Sequence, residues 1–348
     1  MAAAAPTSGG RRLGGGVRAR LERAAAQPWS DDRAERVLGA IACSVLLLIA
    51  GMVIFVFSKA WPSFSHNGLA WFGSGGNVDQ QLGDIFNSPA SAQHYVYHLR
   101  AWPLLYGTLI TTIGALVMAL VISLLAAVFI VEFAPPAVQR IVEPVVRLLA
   151  AVPSVIYGLI GILVLVPFVN DHLLSVVRKA SVAYVVQLTG TGLLVAVVIL
   201  TVMIVPIMIA IIVDALYAVP RGWKEGAVAL GVNRWRAMWT VSVRAARPAI
   251  IAAAVLACAR ALGEAIMLSM VSGSVGFAPN PFDGPRLFLL EPLRPLASTI
   301  VEDSEALQTP AIRSMVYAFA LLLLFSSLFL SLAGFLAKQP MKKYGVRI

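Results

Sequence analysis

The chain has 348 residues, of which 59% are hydrophobic and only 13% are charged, and its mean hydropathy is +0.85. Soluble domains usually carry about 25% charged residues, so this composition excludes an ordinary soluble domain and predicts an integral membrane protein. The net charge of +10 does not by itself indicate a nucleic-acid partner, because Lys and Arg accumulate on the cytoplasmic side of membrane proteins.

The N-terminal third contains a basic tail followed by one long apolar run. Residues 1–36 hold seven arginines and no apolar core, which predicts a disordered cytoplasmic tail. Val37–Phe57 is free of charge for 21 residues. This exceeds the apolar region of about 7–15 residues in a cleavable signal peptide. We therefore assign residues 37–103 to an uncleaved first transmembrane helix and an external loop. The tryptophans of that loop, interpreted as interfacial anchors, are Trp61, Trp71 and Trp102.

Residues 104–338 contain five further apolar segments and are predicted to form the membrane core. The complete prediction is an all-α protein with six transmembrane helices. In Ala180–Val213, the fourth of the six predicted spans, the helix is expected to begin after the break at Gly190-Thr191-Gly192. The five segments are Leu104–Val131, Leu148–Asn170, Ala180–Val213, Pro248 to about Ser272, and Ser314–Ala337.

The distribution of Lys and Arg sets the expected orientation. With six spans and the N-terminus inside, the inner segments hold 19 of these residues and the outer segments hold 7. Basic residues are enriched on the cytoplasmic side. Both termini, including the basic residues 339–348, are therefore expected in the cytoplasm.

The inner segment 214–247 is too polar to cross the membrane. Pro220 is placed to begin a helix and Gly231 is placed to end it, which predicts a short helix over about 220–233 near the membrane surface. Small residues in such a helix allow a partner surface to approach the backbone closely. A basic loop resting on anionic lipid is the alternative interpretation.

One run in this segment, Glu225-Gly226-Ala227-x-x-x-Gly231, resembles the EAA loop (Glu-Ala-Ala-x-x-x-Gly) of ABC importer permeases. In that family the loop docks on a cytoplasmic ATPase, so the resemblance implies that these four residues form the ATPase-docking site. The chain departs from the family at Arg244, where a Pro is usual. It contains no Gly-x-x-x-x-Gly-Lys-Ser/Thr phosphate loop, so we expect a non-catalytic subunit whose ATP hydrolysis is supplied by partner ATPases.

Arg260 and Glu264 lie in the fifth predicted span, Pro248 to about Ser272, where a charge facing lipid is costly. Counted from Pro248, they lie about 18 and 24 Å into the span at roughly 1.5 Å per residue, too deep for their charged ends to reach the inner surface. Residues four apart share a helix face, so one interpretation is a self-neutralised bridge. The other is a polar path in which Arg260 binds an oxyanion and Glu264 keeps the attraction weak enough for release.

The run from Arg260 to Gly273 resembles the phosphate-specific, PstC-type permeases of type I ABC importers, as do Ala150–Leu159 and Pro103–Leu109. The resemblance implies a MetI-like permease fold in the bacterial inner membrane. It further implies an ATP-driven phosphate importer in which this chain forms half of the path. The implied partners are a related second permease, two ATPase subunits and an extracytoplasmic phosphate-binding protein. No metal, cofactor or nucleic acid is expected.

Two other functions stay open at this point. A sister permease for molybdate or sulfate would use the same anion chemistry. A self-sufficient secondary transporter would use Arg260 and Glu264 as an ion relay, although the inverted internal repeats common in that class are not visible in the sequence.

Overall fold

The computed structural model describes residues 28–88, 96–174 and 187–338. Six helical segments of these ranges are long and apolar enough to cross a membrane, which confirms the predicted all-α class. The helices are α1 (Pro28–Asn67), α2 (Val78–Phe86), α3 (Trp102–Val128), α4 (Pro136–Ala150), α5 (Ser154–Ile160), α6 (Val166–His172), α7 (Leu193–Tyr217), α8 (Arg221–Ala229), α9 (Arg234–Ala237), α10 (Val243–Leu262), α11 (Ile266–Val271), α12 (Pro285–Leu290), α13 (Leu296–Glu302) and α14 (Pro310–Lys338).

The first helix is longer than the apolar run that predicted it. α1 begins at Pro28, inside the predicted basic tail, and extends beyond the expected end at Phe57. The helix is longer than the apolar run because its backbone hydrogen bonds do not depend on apolar side chains. Residues 1–27 of the tail and the C-terminal residues 339–348 lie outside the described residues. The chain divides into two compact units after Phe55, and the packing below belongs to the second unit.

α7 is the central helix of the second unit. In its most apolar stretch 67% of the residues are buried inside the chain, against 17% for α14, so α7 is enclosed and α14 is peripheral. α3, α4 and α10 all pack against α7. The hydroxyl of Ser123 in α3 donates to the carbonyl of Val205 in α7 at 3.2 Å, which joins the two helices at that point.

The predicted start of α7 is confirmed. The helix begins at Leu193, directly after Gly192, whose φ is +157°. A Cβ at Gly192 would lie 2.7 Å from the carbonyl oxygen of Glu291, so only glycine fits at this close backbone approach.

The third span begins at Ser154, not at Leu148 as the hydropathy pattern predicted. Pro153 causes the difference, because its ring removes a backbone N–H and disfavours helical geometry in the residue before it. α4 is consequently a separate amphipathic helix ahead of the span. The span itself passes through a π-helical turn at Gly161–Leu165.

The fifth span is displaced toward the N-terminus relative to its prediction of Pro248 to about Ser272. It extends over Arg234–Leu262 and includes a π-helical turn at Met238–Ser242. Pro248 lies inside α10 instead of at its start. The helix begins before the apolar stretch because backbone hydrogen bonding also includes the arginine-rich residues that precede it.

Trp71 is part of the core, so its predicted role as an interfacial anchor is wrong. Its side chain is fully buried, its Nε1–H donates to the hydroxyl of Ser63 at 3.0 Å, and its ring lies 5.9 Å from that of Phe319 in α14. Burial satisfies both the ring and its polar N–H, as buried tryptophans require. Trp61 and Trp102 are 56% and 40% exposed, as anchors would have to be.

Candidate functional site

The short helix predicted before Gly231 is α8, Arg221–Ala229. After it, the N–H of Gly231 donates to the carbonyl of Val228 at 2.9 Å, and the N–H of Val232 donates to that of Ala227 at 3.2 Å. These are the two bonds of a Schellman motif. Gly231 has a φ of +84°, a conformation that glycine adopts without a steric penalty. The turn therefore holds α8 as a defined, separate helix.

One face of α8 consists of small, exposed residues. Gly222, Gly226 and Ala229 follow the i, i+4, i+7 spacing that places side chains on one helix face, and all three are exposed. A Cβ added at Gly222 or Gly226 would meet no atom of the described chain within 4 Å. Trp223 and Leu230, which are 47% and 86% exposed, flank this face. We call Gly222, Gly226 and Ala229 the outer face of α8.

The opposite side of α8 contacts the end of α3. Lys224 forms an ion pair with Glu132, which lies in a π-helical turn at Phe129–Phe133. The Glu132 side chain is only 3% exposed, and that of Lys224 is 34% exposed. The pair borders a cleft of about 250 Å³ that Glu225 and Tyr217 also line. Sequence reasoning missed this pair because its members are 92 residues apart.

Arg260 and Glu264 do not share one helix, so of the two interpretations the self-neutralised bridge on one helix face is wrong. α10 ends at Leu262, and α11 begins only at Ile266. Gly263 interrupts the helix because glycine is a poor residue for continuing it. The Oε1 of Glu264 instead accepts the backbone N–H of Met267 at 3.3 Å. That N–H is one of the donors that a helix start leaves free. Among the described residues no ion pair joins Arg260 to Glu264.

Arg260 has spare hydrogen-bonding capacity inside the molecule. Its Nε atom is buried and has no hydrogen-bond partner in the described chain. Nearby in the third span, the Tyr157 hydroxyl donates to the carbonyl of Leu149 at 2.9 Å. A buried donor without a partner costs about 1–3 kcal/mol. The Nε–H of Arg260 is thus a donor left unsatisfied within the described chain.

The chain that follows Glu264 packs tightly on α5. A Cβ at Gly158 would lie 2.8 Å from the sulfur of Met270, and one at Gly161 would lie 2.6 Å from a methyl carbon of Val271. Side chains at those two positions would force the helices apart. The two glycines, one in α5 and one in the π-helical turn after it, therefore bring α11 close to this span, and Glu264 lies two residues before α11 begins.

A buried charge network around Arg294 joins the two long interhelical loops. Arg294 is 7% exposed. Its NH1 atom lies 2.8 Å from Asp79, its NH2 atom 3.1 Å from Asp303, and its Nε atom 2.8 Å from Glu302. The Nε contact is an ion pair without an aligned hydrogen bond. Asp79 also accepts the backbone N–H of Gly276 at 2.7 Å.

Burial shifts the protonation equilibria of this network. Burial alone would lower the pKa of Arg294, but the carboxylates of Asp303, Glu302 and Asp79 together raise it. Burial raises the pKa of Glu302 and Asp303 despite the opposing effect of Arg294. The network could not be predicted from sequence spacing, because Asp79 and Arg294 are 215 residues apart.

The fold defines a multi-pass membrane protein that exposes a small helix between two spans. Residues 119–341 match the family described as binding-protein-dependent transport system inner membrane component. The chain belongs to this family and is a multi-pass inner-membrane protein.

Similarity to individual proteins agrees with the family assignment. The chain is 34% identical over 245 residues to the probable ABC transporter permease protein YqgH of Bacillus subtilis (strain 168), covering 70% of this chain and 72% of that protein. It is 29% identical over 317 residues to the phosphate transport system permease protein PstC of Pasteurella multocida (strain Pm70), covering 86% and 89%. These relatives are permeases, a class that is not catalytic.

One solved structure supports the fold. In the crystal structure of a bacterial alginate ABC transporter in complex with an alginate pentasaccharide-bound periplasmic protein, one chain aligns with a TM-score of 0.50 at 14% identity. The alignment covers 92% of this chain and 100% of that chain.

Proposed function

We propose that this chain is the permease subunit of an ATP-driven importer of inorganic phosphate and forms half of its translocation path. The observation that carries the proposal is the similarity to the phosphate transport permease of Pasteurella multocida over 86% of this chain. The chain itself has no catalytic role in this proposal. Partner ATPase subunits supply the energy.

The proposed assembly pairs this chain with a related second permease, two ATPase subunits and an extracytoplasmic phosphate-binding protein. Residues 1–36 and 339–348 are cytoplasmic, residues 37–103 form the first span and external loop, and residues 104–338 form the permease core. The excess of 19 over 7 basic residues on the inner side supports this orientation.

We assign ATPase docking to Glu225, Gly226 and Ala227 of α8 and to Gly231 in the turn that follows it. The exposed, small outer face supports the assignment, since a partner approaches closely where no side chain stands in its way. Exposed Trp223 and Leu230 would add apolar contacts at the rim, and tryptophan is enriched among interface hot spots. Lipid contact alone would not require an open glycine surface.

We assign the substrate path to Arg260 and Glu264. The free Nε–H of Arg260 offers a charged hydrogen bond to a phosphate oxygen. Glu264 lies four residues further along the chain and is 9% exposed. Its negative charge opposes anion binding, which keeps the complex weak enough for release.

The test is Arg260→Gln in the reconstituted complex, assayed for phosphate uptake into proteoliposomes with the binding protein present. Losing a charged hydrogen bond removes about 1.5–3 kcal/mol, or roughly 10- to 150-fold in anion binding. We expect a comparable loss of uptake while the complex still assembles. Arg286→Gln, at an exposed position in α12, is the matched control, and we expect it to keep normal uptake. Normal uptake by Arg260→Gln, or its failure to assemble, contradicts the assignment.

The same preparation separates the competing functions. Uptake of molybdate or sulfate in place of phosphate would assign the chain to another oxyanion. Accumulation of phosphate by proteoliposomes containing only this chain would indicate a secondary transporter.

A further inference from the structure

Glu132 is an enclosed carboxylate whose position calls for an explanation. Its side chain is 3% exposed, and its partner Lys224 lies on the side of α8 opposite the outer face. Burying an ion pair adds little net stability compared with apolar residues of similar size, because both charges lose their water. Stability alone is therefore a weak reason for placing a carboxylate where α3 ends.

The residue after Glu132 makes a second contact with the same segment. The ring of Phe133 lies 5.9 Å from that of Trp235, which in turn lies 5.5 Å from Trp239. Trp235 follows the turn at Gly231, whereas Lys224 precedes it. Two consecutive residues at the end of α3 therefore hold the chain on both sides of that turn.

The contacts of Glu132 lie where helix geometry is irregular, while the rest of α3 is firmly packed. The α3 helix ends in the π-helical turn Phe129–Phe133, and the fifth span has another at Met238–Ser242. Such turns are frequent at functional sites. Further along α3, Ser123 bonds to Val205, and a Cβ at Gly114 would lie 3.2 Å from a methyl group of Val197. Displacement of the end of α3 would therefore be shared with α7.

We propose that the Lys224–Glu132 ion pair couples α8 to α3, so that a docked ATPase moving α8 also moves α3 and α7. The inference rests on the proposed function and adds a specific mechanical connection to it. Lys224 and Glu132 are positioning residues, since neither lies on the outer face of α8 or on the substrate path. An ion pair suits this role because it resists separation of the two helices, while the turns on either side allow them to adjust.

The experiment measures phosphate transported per ATP hydrolysed by the full reconstituted complex. We expect Glu132→Gln and Lys224→Gln each to lower this ratio by roughly tenfold, the size of a coupling energy within a contacting pair. The exchange variant Glu132→Lys with Lys224→Glu should recover most of the ratio. The matched control is Asp214→Asn, which breaks an exposed ion pair with Arg147 whose side chains are 58% and 56% exposed, and it should leave the ratio unchanged.

The outcomes separate coupling from a structural role. A purely structural pair would lower uptake and hydrolysis together, in proportion to the amount of assembled complex, and leave their ratio normal. A normal ratio in Glu132→Gln overturns the inference, and so does an assembled exchange variant whose ratio stays low. Failure of all three charge variants to assemble also overturns it in favour of a structural pair. A wild-type chain that binds no ATPase refutes the proposed function itself.

Discussion

Gly226→Leu tests the outer face of α8 because it separates the stability of this chain from its docking. Gly226 is exposed, and a Cβ there would meet no described atom of the chain within 4 Å. A leucine is therefore accommodated without moving any neighbour. A loss of ATPase affinity would therefore arise at the surface that α8 presents to the ATPase, and not from a clash within this chain.

The two effects of this substitution have opposite signs. Within the chain, Leu is a better helix former than Gly by about 0.8–1.0 kcal/mol, so α8 should become more stable. At a docking surface, the added side chain separates the partners at the centre of the contact. Disrupting such a central position costs about 2 kcal/mol or more, a loss of roughly 30-fold in affinity.

The assay is co-purification of the ATPase with the permease in detergent, followed by titration of the ATPase to obtain its Kd. Gly226→Ala is the matched control, because it gives a similar helix gain and adds only one methyl group. We expect Ala to retain docking and Leu to weaken it by roughly 30-fold, with normal amounts of folded permease in both. Normal ATPase affinity in Gly226→Leu would refute the assignment of the outer face.

Two further predictions concern packing and pH. Gly161→Ala places a Cβ 2.6 Å from Val271, so we expect a loss of about 1–3 kcal/mol and a lower thermal midpoint, whereas Gly83→Ala, with nothing within 4 Å, should not lower it. Equal midpoints would contradict the packing of α11 on α5. Burial raises the pKa of Glu302 and Asp303. Above the ordinary carboxyl pKa of about 4, the folded protein therefore binds more protons than the unfolded chain. Its free energy of unfolding should consequently fall as the pH rises from about 4 through the raised pKa values of the folded state. Asp303→Asn should reduce this fall in thermal midpoint as the pH rises from about 4, and an undiminished fall would contradict the shift.

Local signals in the sequence predicted local features well. Gly192 marked the start of α7, and Gly231 marked the end of the short helix, because each requires a backbone conformation or a close approach that only glycine tolerates. Apolar length identified all six spans. The predicted ends of the spans were less accurate, because Pro153 interrupts an apolar run and the fifth span extends into a charged segment.

Charged pairs were predicted poorly because sequence spacing reports only neighbours along one helix. The spacing of Arg260 and Glu264 favoured a shared face, but Gly263 ends the helix between them. The pair of Glu132 with Lys224 spans 92 residues, and its partners meet only when α8 folds back on α3. The prediction that Trp71 is an interfacial anchor failed for a related reason, because its burial depends on contact with α14, far along the chain.

The central claim is that energy for transport comes from an ATPase held by this chain. It is tested by phosphate accumulation in proteoliposomes containing either the chain alone or the chain with its second permease, ATPase subunits and binding protein. The account predicts accumulation only in the complete assembly, and only when ATP is present on the side of the membrane where the ATPase subunits lie. Accumulation by the chain alone, or by the assembly without ATP, would contradict it.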